Sequence, residues 1–167
     1  VKRIFGLLLI AALITATGCD IRTKGNDTST AEDIPAPINL LLPKTIVVHP
    51  FTQTNTFEQG TFGLHVRVQA KDYYGDPTKA FGDFRFELYD FRPQHQGKRG
   101  RKITQWEVAI SRPKANLLHW DRHTRSYEFK LSIDKPVQEG NRLVLVVVFT
   151  SRFTPRLVAE REIVAGE

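Results

Sequence analysis

The sequence predicts an all-β protein, an antiparallel β-sandwich of seven or eight strands, on three observations. Apolar residues recur at every second position through most of the chain, turn-forming residues punctuate the runs, and no stretch carries the spacing of an amphipathic helix. A period of two sends alternate side chains to opposite faces, so each run buries one face and wets the other. At 167 residues the chain holds one domain of ordinary size.

Ile46 to Val48 begin the series as a short strand. Thr52 to Gly60, rich in Thr, Gln and Asn, reads as a long loop or an edge hairpin. Leu64, Val66, Val68 and Ala70 then alternate with His65, Arg67, Gln69 and Lys71, and Phe84, Phe86 and Leu88 alternate with Arg85, Glu87 and Tyr89. Trp106, Val108 and Ile110 alternate with Glu107 and Ala109, which assigns Trp106 to the core and leaves Trp120 open. Ala115 to Trp120 suits one short helical turn. Tyr127, Phe129, Leu131 and Ile133 form the next strand, and Leu157 to Ile163 the last. Between them Leu143 to Phe149 is continuously apolar and rich in β-branched valine, the pattern of a central strand covered on both sides. Tyr74 to Pro77, Arg92 and Pro93, Gly97, Gly100, Pro113, Pro136 and Gly140 supply the turns.

The N-terminus has a different character. Lys2 and Arg3 precede an unbroken apolar stretch from Ile4 to Ile14, shorter than the roughly 20 residues a membrane span needs. Small and polar residues follow, then Cys19, the order of a secretory signal peptide covering residues 1–18. Ala16, Thr17, Gly18 and Cys19 resemble the lipobox of bacterial lipoproteins, departing from it at the first place, where that family prefers Leu. The resemblance implies that Cys19 is acylated, by palmitate or a similar chain, and becomes the first mature residue; the competing reading is ordinary cleavage leaving a free thiol. Asp20 resembles an inner-membrane retention signal of enterobacterial lipoproteins, but the choice between inner and outer membrane stays open. Residues 19–43 are the lipidated cysteine and a flexible tether, since Asp20 to Pro37 hold too few apolar side chains to offset the entropy of ordering. Ile38 to Leu42 are expected to dock as a first element or collar on the sandwich domain, residues 44–167.

Asp72, Gly75, Asp76 and Pro77, between the strands of the segment Ala70 to Phe86, resemble a connection found in bacterial immunoglobulin-like and transthyretin-like modules. The resemblance implies an immunoglobulin-like sandwich and carries no information on a ligand.

Composition excludes several functions. One cysteine allows no internal disulfide, no paired-thiol redox site and no metal site of several thiolates. No nucleophile elbow, phosphate-cradling glycine loop or helical pair of histidines is present. Three patterns carry candidate chemistry. Arg92, Lys98, Arg99, Arg101 and Lys102, with His95 and no acid among them, suit contact with an anionic surface such as headgroups, a lipid-borne polyanion or an acidic protein. Their competing reading is a solvated, mobile hairpin loop; removal of Lys2 and Arg3 with the signal peptide lowers the net charge from +6 to about +4, and much of that excess is expected in this loop. His119, Asp121 and His123 would project from one face of an extended strand as ligands for a divalent metal such as zinc, unless Asp121 to Thr124 form a turn. Asp72 and Asp76 flank Gly75, where a calcium site and a side-chain-closed turn compete and the turn is favoured.

The expected function is an exported, lipid-anchored binding or assembly module of the bacterial cell envelope, with no cofactor, no catalysis and no nucleic-acid partner. Its partners are the membrane, through the anchor, and an envelope protein or anionic surface. The rival is a membrane-anchored hydrolase, metal-assisted through His119, Asp121 and His123 or built on carboxylates.

Overall fold

A computed structural model describes residues 34–166, so the signal peptide, Cys19 and most of the tether lie outside the described residues. Among the described residues nine strands form two packed antiparallel sheets: β1 (Thr45–Val48), β2 (Gln53–Thr56), β3 (Phe62–Lys71), β4 (Asp83–Phe91), β5 (Arg99–Ala109), β6 (Trp120–Asp121), β7 (Ser126–Ser132), β8 (Arg142–Thr150) and β9 (Leu157–Val164). Two short helices accompany them, α1 (Ile38–Leu41) and α2 (Pro113–His119). The first sheet runs β1-β3-β7-β6, with β2 following β1 along the same edge of β3; the second runs β5-β4-β8-β9. In immunoglobulin lettering these are A-B-E-D and C′-C-F-G, so the strand order as well as the two-layer architecture is immunoglobulin-like.

The alternation read from the sequence settles which side chains face inward. Leu64, Val66 and Val68 of β3, Phe84, Phe86 and Leu88 of β4, and Leu143, Leu145 and Val147 of β8 are fully buried. Phe84 lies 4.9 Å from Phe149 and 5.3 Å from Phe129, ring centre to ring centre, and joins the two sheets. Each such side chain contributes about 1.5–3 kcal/mol of hydrophobic free energy. Trp106 packs partly buried against this core and donates its indole N–H to Ser132 O at 2.8 Å, from one sheet to the other.

β8 is covered on both sides, and its outer cover is made by its own sheet. Val144, Val146 and Val148 face away from the core yet are buried, beneath Tyr89 and Phe91. Register sets Val144 between Tyr89 and Glu162, and Val146 between Glu87 and Glu160, so long side chains from β4 and β9 flank the valine stripe.

Connectivity gives the sandwich two unlike ends. At one, which we term the collar end, α1 leads through Lys44 to β1, and Lys44 N–H bonds Lys71 O at the close of β3. The β3–β4 connection, α2, the β6–β7 turn and the β8–β9 connection gather there, because Asp83 pairs with Ala109 and Thr150. At the other, the hairpin end, Phe91 pairs with Arg99, and the β7–β8 connection follows Ser132. Nine residues of β8 at about 3.3 Å each separate the ends by roughly 30 Å.

Candidate functional site

The basic hairpin closes tightly. Arg92 N–H bonds Lys98 O at 2.7 Å, Lys98 N–H bonds His95 O at 2.8 Å, and the His95 ring lies 3.1 Å from Arg99 O. Gly97 and Lys98 take left-handed backbone angles, φ 64° and 55°, to bring the chain back into β5. The loop is a hydrogen-bonded turn whose residues 92–98 stand exposed to solvent.

Its cations are largely matched by acids from neighbouring strands. Lys98 Nζ meets Glu162 at 2.5 Å, and Arg142 reaches the same carboxylate at 2.6 Å. Arg99 pairs with Glu160, Lys102 with Glu87 at 3.2 Å, and Arg101 stands 3.8 Å from Asp90 with its side chain 84% exposed. Arg92 is exposed and makes no ion pair among the described residues. Hydrogen bonding by Lys98, then by Arg142, holds the Glu162 carboxyl below its ordinary range. Burial works against ionisation of Glu87, but hydrogen bonds from Tyr89 and Lys102 and the charges of Lys102 and Arg85 outweigh it, and its pKa is lowered. The bond to Glu87 in turn raises that of Lys102.

Beside the hairpin a cleft of about 480 Å³ opens between β5 and the β7–β8 connection. Ile103, Ile133 and Val137 give it an apolar floor, while Arg101, Lys102 and Lys135 stand at its rim together with Asp90 and Asp134. This volume suits a small ligand or one end of a peptide. Sequence alone marks Ile133 only as a strand residue and does not single out Lys135, because both approach Arg101 only through the packing of the two sheets; no local pattern links them.

His119, Asp121 and His123 are not gathered into a metal site, and among the described residues no three His, Cys, Asp or Glu side chains converge to hold a metal. The segment is not one extended strand. His119 ends α2, its ring 2.9 Å from Glu128 O through Nδ1 and stacked on Phe129. Asp121 closes a turn, accepting His123 N–H at 2.9 Å and Thr124 Oγ1–H at 2.6 Å, with the Arg67 guanidinium 3.9 Å away. These turn bonds hold the carboxyl below its ordinary range. Asp72 is likewise committed: its Oδ1 accepts the N–H groups of Tyr74 and Asp76 at 2.9 and 3.1 Å around Gly75, whose φ is +86°. Trp120 stands half-buried, edge-on to Tyr127 and beneath Lys79.

The excess positive charge lies mostly at the opposite end from the hairpin. Segments 34–45, 71–83, 109–126 and 150–157, which make the collar end, hold nine Lys or Arg against four Asp or Glu. Segments 56–63, 89–102, 132–144 and 160–166, at the hairpin end, hold eight against six. Counting along the sequence shows the cluster at 92–102 but hides the acids of β9, which arrive more than sixty residues later. Compared with known proteins, the chain matches no family model, no curated protein and no solved structure.

Proposed function

We propose that this protein is an exported, lipid-anchored binding or assembly module of the bacterial cell envelope, non-catalytic, whose hairpin end receives an anionic partner. The observation that carries this reading is the separation of the two ends. The chain comes into the domain at the collar, and the basic hairpin with its cleft stands a full strand length away. A tether attached at Cys19 would hold the collar end toward the membrane and leave the hairpin free to meet a second component. Confinement on a surface raises the effective concentration of such a partner, so modest affinity suffices.

An anionic side chain or headgroup entering the cleft would meet Arg101, Lys102 and Lys135 above an apolar floor. Arg101 lines the cleft with its side chain 84% exposed, and Arg92 stands exposed on the adjoining hairpin, whereas Lys98, Arg99 and Lys102 face closer acids within the molecule. Binding is favoured over metal-assisted hydrolysis by the commitments of His119 and Asp121, which pack and close turns.

The test is affinity capture from detergent-solubilised membranes with the full chain and with Arg92→Gln/Arg101→Gln. Both side chains are exposed, so the variant should fold and melt like the parent. We expect a membrane protein or polyanion to be retained by the parent, and to be lost with the variant or in high salt. Retention indifferent to both changes would remove the hairpin from the account.

A further inference from the structure

We infer that the collar end is a membrane-contact surface, which lays the domain end-on against an anionic bilayer and so orients the hairpin outward. Seven large apolar side chains stand exposed at this end, and four of them, Ile38 58%, Leu41 57%, Tyr73 66% and Tyr74 65%, form its tip. They belong to one local structure. Tyr73 N–H bonds Leu40 O at 3.1 Å, Thr78 Oγ1–H bonds Leu41 O at 2.9 Å, and the two tyrosine rings stand edge to face, 5.5 Å apart. The Asx turn of Asp72 fixes the backbone that presents them, so they are displayed on a structured tip.

Charge supplies the second argument. Lys44, Lys71, Lys79 and Arg125 lie on the segments that meet at this end: Lys44 N–H bonds Lys71 O, Lys79 Nζ stands 5.5 Å from the Trp120 ring centre, and Arg125 reaches Pro77 O at 3.1 Å. They belong to the end where nine cations face four acids; Asp72 is spent on its own turn, and Asp76 is the acid left exposed at the tip. Apolar and tyrosyl side chains at the same end as an excess of Lys and Arg match a headgroup layer, where amphipathic rings settle at the interface and cations attract anionic lipid. Thirty-three residues precede the described part, and they lead into α1, the element that carries Ile38 and Leu41. The inference rests on the anchored reading for its choice of membrane, but the surface and the anchor are separable.

The experiment uses the full chain mixed with vesicles of phosphatidylcholine and phosphatidylglycerol containing brominated lipid, which quenches tryptophan at the interface. Two variants each add a tryptophan, Tyr74→Trp at the collar tip and Gln94→Trp at the hairpin. We expect the added emission of Tyr74→Trp to be quenched several-fold more than that of Gln94→Trp. Removing the attraction with Lys44→Gln/Lys79→Gln should weaken partition roughly tenfold at low salt, about 1.4 kcal/mol. Equal quenching at the two positions, or none at either, overturns the surface, whatever the state of Cys19. Intact mass on the same sample reads the anchor separately. Unmodified Cys19 with preferential quenching of Tyr74→Trp keeps the surface and drops the anchor, whereas acylated Cys19 with equal quenching does the reverse.

Discussion

Tyr127 carries a polar group into the middle of the core, and its surroundings explain why that is tolerated. Its ring is fully buried and lies among Phe84, Phe129 and Trp120. The hydroxyl accepts Ala80 N–H at 2.8 Å and lies 3.1 Å from both Ala80 O and Asn116 Oδ1. Asn116 returns its amide to Ala80 O at 2.6 Å and Ile110 O at 3.1 Å, so α2 and the β3–β4 connection are held to β7 by one small polar network. Burial pushes the phenol pKa up, and the hydrogen bonds only partly offset it. Tyr127→Phe keeps the ring but strands Ala80 N–H, and should cost about 1–3 kcal/mol, read by denaturant titration. A variant as stable as the parent would show that water or a shifted Asn116 replaces the hydroxyl.

The hairpin and the strands beside it show an electrostatic design that only the sheet reveals. Tyr89 Oη–H donates to Glu87 at 2.7 Å, Lys102 and Arg85 each stand 3.2 Å from the same carboxylate, and Val146 lies buried beside them. Because the folded pKa of Glu87 is lowered, its contribution to stability is present at neutral pH and lost as pH falls through the folded pKa. Glu87→Gln should therefore lower the melting temperature at neutral pH and flatten its decline on acidification. Parallel melting curves for parent and variant across the acid range would contradict this. The sequence displayed β4 and β8 clearly, since period-two alternation and a valine run are local patterns. It also marked the cations from Arg92 to Lys102. It could not show that Glu160 and Glu162 face them, because pairing of β8 with β9 decides that. For the same reason His119, Asp121 and His123 looked like a ligand row: the alternation was real, but Pro113 at a helix start and the Asp121 turn bent the segment out of the extended form that the row required. β2 was legible only as a loop or edge hairpin, since Gln, Thr and Asn give no apolar stripe, and its place comes from pairing with β3.

At the level of the whole molecule the account is one of polarity. An immunoglobulin-like sandwich has two clusters of connections, and here one cluster carries the chain's N-terminal approach, exposed tyrosines and most of the net charge. The other carries a structured basic hairpin, balanced by acids, and a cleft. In the proposed function, such a domain has one face to rest on and one to offer. That division has a biological meaning only if the chain is exported and held by its N-terminus. Intact mass spectrometry of the protein recovered from membranes tests this most directly. The account predicts a chain that begins at Cys19 and carries acyl groups on it; a cytosolic chain that still bears its first eighteen residues would contradict it.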